Sequence, residues 1–196
     1  SSSSIGGDKM TKHIKNPEEY CLTAFNSMRA NLYRWGKPET DVRSLTRIWY
    51  VNIHDSGYDR LNYISENAIP YRLNAQTTKI TWDHYTRPQA QSFMIYNNPT
   101  IYLEDYDTFK KLFFDARKTV IVTCDENDRA SKDTINDGIE YKIKHLSNEV
   151  YDSIGIKMYQ FSNERYWKDR QFKLVSNDVL PFNAEVLIGE KRFLVA

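Results

Sequence analysis

The run Thr119-Val120-Ile121-Val122-Thr123-Cys124-Asp125-Glu126-Asn127-Asp128 decides the fold class. Its first five residues are all β-branched. A segment so short and so rich in branched side chains reads as a buried strand. From Cys124 to Lys132 the chain turns polar and opens a short helix. Helical patterns dominate before this junction and strand patterns after it. The expectation is therefore an α+β fold, with a helix-rich part over 16–117 packed on a mostly antiparallel, β-rich part over 118–196.

Working toward the N-terminus, Leu103, Tyr106, Phe109, Leu112, Phe113 and Ala116 form one apolar helical stripe. Pro88 opens an earlier helix that carries Ala90, Phe93 and Met94, and Asn97-Asn98-Pro99 breaks it. Residues 78–82 read as a short strand that leads into Asp83-His84. Tyr58, Leu61 and Ile64 suggest a short helix closed before Pro70, after an Asp55-Ser56-Gly57 turn. Val42, Leu45, Ile48, Trp49 and Ile53 mark a helix that opens at Thr40 or Asp41. The first helix is capped by Asn16, with Pro17 in its first turn and Glu18-Glu19 complementing the dipole. Its stripe is Cys21, Phe25, Met28, Leu32 and Trp35, ended by Gly36 and Pro38.

Working toward the C-terminus, Ile139, Tyr141 and Ile143 alternate with charged residues, the pattern of a half-exposed strand. Residues 156–161, 171–175, 185–188 and 192–195 are further strand candidates. Residues 1–9 read as an expression-tag remnant, and 10–196 as one domain without repeat or linker.

The bulk numbers narrow the function classes. Of 196 residues, 40% are hydrophobic, enough apolar material to build a core. The net charge of +1 excludes a uniformly basic nucleic-acid binder, so any such contact must come from a local patch. No apolar run approaches the length of a membrane span, and no secretory signal is present. Two cysteines, Cys21 and Cys124, cannot build a disulfide framework or a four-cysteine zinc site. Buried free thiols in a reducing, cytoplasmic compartment are the expectation. No nucleophile elbow, phosphate-binding loop or dinucleotide fingerprint occurs. Plentiful Tyr, Asn, Ile and Lys give the chain the flavour of AT-rich genomes, phages among them.

Two short words carry the chemistry. Asp83-His84 stands at the end of one strand, and a second strand runs into Asp125-Glu126-Asn127-Asp128-Arg129 at a helix start. This order resembles the His-Asn-His (ββα-metal) nucleases, and most of all the phage Holliday-junction resolvases among them. The resemblance implies that Asp83 and Asn127 hold a hard divalent cation, Mg²⁺ or Mn²⁺, through oxygen ligands. Asp128 or Asp125 would substitute if the register slips. It implies His84 as the general base that takes a proton from water. Arg87 and Arg129 would hold phosphate oxygens bidentately. The implied substrate is nucleic acid, DNA first, in the cytoplasm of a host if the chain is phage-encoded. The chain departs from the family in its long segment between the two words, which must hold two helices as an insertion. It also lacks the bracing cysteine pairs and a third His in the last element. The competing reading makes Asp83 a turn or helix cap, His84 an ordinary hydrogen-bonding residue and Asp125-Glu126 a helix cap.

Glu140 and Lys142 share one face of an alternating strand, the Glu-x-Lys half of a PD-(D/E)xK restriction-type site. Its other half needs an acid on a neighbouring strand, with Asp125 or Asp128 as candidates. His54-Asp55 reads as a helix end. His13 and His145 have no convincing partner. The segment with Arg165, Tyr166, Trp167, Lys168, Arg170 and Lys173 interleaves cations with rings. It suits a nucleic-acid contact through phosphates and stacked bases, or a protein interface, a second copy included.

Overall fold

A computed structural model describes residues 16–31, 38–85, 88–132, 134–136, 140–143, 149–177 and 192–194. Helix α1 (Pro17–Asn31) begins as its sequence predicts, with the Asn16 side chain accepting from the Glu18 amide at 3.0 Å. Helix α2 (Pro38–Asp55) starts earlier than expected, at Pro38, whose fixed φ suits a first turn. Strand β1 (Asp59–Ser65) follows a turn closed by Gly57 at φ +80°, a left-handed conformation that side chains disfavour. The chain continues through α3 (Ala68–Leu73), a 3-10 turn over Thr77–Lys79 and β2 (Ile80–His84). Helices α4 (Pro88–Asn97), α5 (Pro99–Tyr102) and α6 (Tyr106–Ala116) come next, then β3 (Lys118–Thr123) and α7 (Cys124–Ser131). The remaining described elements are β4 (Thr134–Asn136), β5 (Glu140–Ile143), α8 (Glu149–Ser153), β6 (Met158–Phe161), a 3-10 turn Trp167–Asp169, β7 (Phe172–Val175) and β8 (Arg192–Leu194).

The main sheet has five strands in the order β2-β3-β1-β6-β7. Strands β1 and β3 pair in parallel and the other three pairings are antiparallel. A second sheet has the order β4-β5-β8. The fold is α+β as expected, but its division along the chain differs. Three of the five main strands come from the half expected to be helical or from its boundary, and the sheet is mixed. The stretch with Tyr58, Leu61 and Ile64 is strand β1 rather than a helix. Its i, i+3 apolar spacing suits a helix, but Leu61 and Tyr63 pack on one face of the sheet while Ile64 packs on the other. Arg60 and Asn62 alternate with Leu61 and Tyr63, but Ile64 breaks the alternation by burying on the opposite face, and so the apolar residues imitate a helix locally.

Helices α1, α2, α4, α5 and α6 enclose one aromatic core. Trp49 meets Phe109 and Phe113 edge-on, with ring centroids 5.4 and 5.6 Å apart. Cys21 lies at its centre, and burial pushes its thiol up to about 11. Cys124, expected to be buried, is only half-buried and turns its sulfur toward the Thr78 carbonyl at 3.6 Å. Leu32 and Trp35 of the first stripe, and the strand expected at 185–188, lie outside the described residues. Among the described residues, no helix is long and apolar enough to cross a membrane.

Candidate functional site

Strands β2 and β3 pair antiparallel, Ile80 opposite Thr123 and His84 opposite Thr119. The segment between them holds α4, α5 and α6, three helices where the sequence reading expected two. Strand β3 then enters α7 without a linker. Thr123 is the N-cap: its hydroxyl accepts from the Glu126 amide at 3.0 Å, and the Glu126 carboxylate accepts from the Thr123 amide at 2.9 Å. This is a reciprocal capping box. Glu126 is 1% exposed and also accepts from the Ser65 hydroxyl and from Asn67, so it ties α7 to the end of β1.

Asp83 and His84 are the last two residues of β2, not a loop after it. Successive strand side chains leave opposite faces, and the contacts agree. Asp83 is 7% exposed and accepts from the Tyr151 hydroxyl at 2.9 Å, on the face covered by α7 and α8. His84 points the other way. Its Nδ1 meets the Ala116 carbonyl at 2.6 Å, and its ring stands edge-on to Tyr58 at 4.8 Å. A carbonyl only accepts, so Nδ1 carries the hydrogen and the neutral ring has its lone pair at Nε2. The Ala116 carbonyl is itself anchored. The next residue, Arg117, donates from Nε to the Ser56 hydroxyl and the Gly57 carbonyl, both at 3.0 Å, and its own carbonyl accepts from the Asp59 amide. His84 lines a pocket of about 310 Å³ together with Tyr50, Val51, Ile53, His54, Asp55 and Tyr58. His54, read from sequence as a helix end, is therefore a neighbour of this imidazole.

Asn127 is half-buried one turn into α7, which packs against β2 and β3. At 100° per residue, Asn127 and Arg129 flank the buried Glu126–Ala130 stripe on opposite sides. Arg129 does not stand ready as a phosphate clamp. It donates to Asp125 at 3.2 Å and to the Ile154 carbonyl at 3.1 Å. Asp125 and Asp128 are exposed on the outer side of α7, so neither faces Asp83. Among the described residues, no group of three or more His, Cys, Asp or Glu side chains converges as a metal site. Asp83 and the helix that carries Asn127 lie on the same side of the sheet.

Glu140 and Lys142 of the Glu-x-Lys alternative stand on β5, and among the described residues its neighbours β4 (Thr-Ile-Asn) and β8 (Arg-Phe-Leu) carry no acid. Asp125 and Asp128, its proposed acids, are on a helix because Thr123 caps the chain into one. Arg87, His13 and His145 lie outside the described residues.

The aromatic–basic segment divides in two. Arg165 and Lys168 lie over the exposed Tyr166 ring, and Lys173 is exposed on β7. Trp167 and Arg170 instead fold onto the face of the main sheet that His84 shares. There they join Arg60, Arg72 and Trp82, which lie far apart in sequence and gave no signal. An alternation reading of β2 would have placed Trp82 beside His84. Nothing local announces the two arginines.

Comparison with family models, with curated proteins and with solved structures gave no match to this chain.

Proposed function

We propose that this chain is a divergent metal-dependent nuclease that hydrolyses phosphodiester bonds, with His84 as general base and Asp83 and Asn127 as metal ligands. The observation that carries the reading is the run β2–β3–α7. A strand ending in Asp83-His84 pairs antiparallel with a strand that passes directly into the helix bearing Asn127. That is the order of elements the ββα-metal resemblance requires, reached here across a helical insertion.

Chemistry fits the assignment. Asp83 and Asn127 offer oxygens only, which suits Mg²⁺ or Mn²⁺, with water and substrate phosphate completing the coordination. The ion would stabilise charge on the scissile phosphate. Tyr151 orients the Asp83 carboxylate without neutralising it. The bond from Nδ1 to Ala116 orients the His84 ring and sets Nε2 as the proton acceptor. Acid and imidazole leave opposite faces, so the scissile group must be engaged around the end of the strand rather than from one side. DNA in a cytoplasmic setting is the substrate class under this reading, and a phage-encoded role is in keeping with it.

The test is cleavage of supercoiled plasmid and of a four-way junction with Mg²⁺ or Mn²⁺. Cleavage by the wild type, its loss on chelation, and its loss in a folded His84→Ala variant are expected. A variant that cleaves at the wild-type rate, or indifference to chelation, removes the proposal. A second reading, binding of nucleic acid without hydrolysis, draws on a different observation, the arginine–tryptophan groove on the sheet. Retained binding without any metal-dependent cleavage would select it.

A further inference from the structure

The face of the main sheet opposite α7 carries a groove of about 440 Å³. Arg60, Arg72 and Arg170 line it with Trp82 and Trp167, and no carboxylate is among its described lining residues. Each guanidinium lies over a ring. Arg60 stands 5.2 Å from the Trp82 centroid, and Arg72 and Arg170 stand 4.5 and 4.0 Å from that of Trp167. Stacking uses the flat side of a guanidinium and leaves its N–H edge to donate. Arg170 spends one donor on the Glu164 carbonyl at 2.9 Å. The guanidinium groups of Arg60 and Arg72 make no hydrogen bond or ion pair with any described residue. Arg72 also feels the charge of Arg170 beside it. Like charges gathered on one ring oppose folding; the Glu164 carboxylate, outside the groove lining, interacts with Arg170, and an anion seated between the guanidiniums would reverse the sign of the remaining repulsion.

We infer that this groove binds a single strand of nucleic acid, its phosphates on Arg60, Arg72 and Arg170 and its bases against Trp82 and Trp167. Three forked cations match phosphodiester oxygens, and flat aromatic surfaces match unpaired bases. A volume near 440 Å³ takes a nucleotide unit but not the stacked pairs of a duplex. The groove also runs toward the candidate site. Trp82 is two residues from His84 on the same face of β2, and Arg60 pairs with Thr119, which pairs with His84. That the bound strand leads to a cleavage centre rests on the nuclease reading; the binding itself does not.

The experiment is fluorescence anisotropy of the full chain with a labelled twelve-residue oligothymidylate, against a duplex of equal length and a free mononucleotide. Single-strand binding at least about tenfold tighter than either competitor is expected. A log–log salt slope near about −2 is expected for three phosphate contacts on a single strand. Arg60→Gln, on the exposed rim, tests the groove without touching the core. It is expected to lower the salt slope by about 0.7. Trp82→Ala is expected to weaken binding about tenfold, with circular dichroism confirming the fold. Preference for the duplex, equal binding of the mononucleotide, or wild-type behaviour of both variants overturns the inference. Metal-dependent cleavage with none of these binding effects defeats the groove and leaves the nuclease standing. Groove-dependent binding without any cleavage does the reverse.

Discussion

The two faces of the main sheet differ in how they treat charge. On the α7 and α8 side, the buried carboxylates Asp83 and Glu126 are individually matched. Asp83 has Tyr151, and Glu126 has Thr123, Ser65 and Asn67. On the other side, three arginines sit over aromatic rings, and no carboxylate is among the described residues that line their groove. A buried carboxylate must be hydrogen-bonded or it destabilises the fold. A half-exposed guanidinium can leave its edge to water. The same sheet therefore presents a closed face and an open one. Adjacent residues of β2, Asp83 and His84, belong to one each.

That contrast can be broken most forcefully at His84. His84→Ala is expected to reduce metal-dependent cleavage by about 10²–10⁴-fold, with a melting temperature near that of the wild type. Equal cleavage would show that the open face carries no chemistry. On the closed face, Tyr151→Phe deprives a buried carboxylate of a donor. It is expected to cost about 1.5–3 kcal/mol in urea denaturation. Asp83→Asn keeps an acceptor for Tyr151 but loses the charge, so it should impair cleavage more than stability. Glu126→Ala removes one half of the capping box and the acceptor of Ser65. A loss of about 1–3 kcal/mol is expected from the same measurement.

Smaller effects sharpen the picture. Burial holds the Cys21 thiol up at about 11, so at pH 8 it stays protonated and unreactive. Cys124 is half-buried, so a thiol-labelling time course in the native state should show one fast group and one slow. Two fast groups would mean that the helical core opens readily. Smallest of all, Arg60→Gln should change stability by no more than about 0.5 kcal/mol while altering nucleic-acid binding. A larger loss would make Arg60 a structural residue, and the open face would resemble the closed one.

Much of the local structure was legible because single elements announced it. Asn16-Pro17-Glu18 signalled the start of α1, and Thr119 to Thr123 a buried strand. The stripe from Phe109 to Ala116 signalled α6. Thr123 with Glu126 is a capping box by spacing, although the sequence reading took only the acids as caps. Strand β1 was misread because Ile64, buried on the opposite face, breaks the alternation of Leu61 and Tyr63 with Arg60 and Asn62. The candidate site was half legible. Asp83-His84 and Asn127 could be named from order along the chain. The partners that orient them, Tyr151 and the Ala116 carbonyl, could not, because each lies more than thirty residues away in sequence.

By itself the sequence determined where several of the helices and strands begin, which residues are too apolar to stay in water, and the order in which Asp83, His84 and Asn127 occur. Those properties depend on neighbours within a few residues, through capping, periodicity and side-chain branching. The tertiary structure alone decided that β1 and β3 run in parallel and that Asp83 and His84 part to opposite faces. It alone assembled Arg60, Arg72, Trp82, Trp167 and Arg170 into one groove. Strand pairing sets these outcomes by joining segments that no local pattern connects, because the hydrogen bonds of a sheet are blind to distance along the chain.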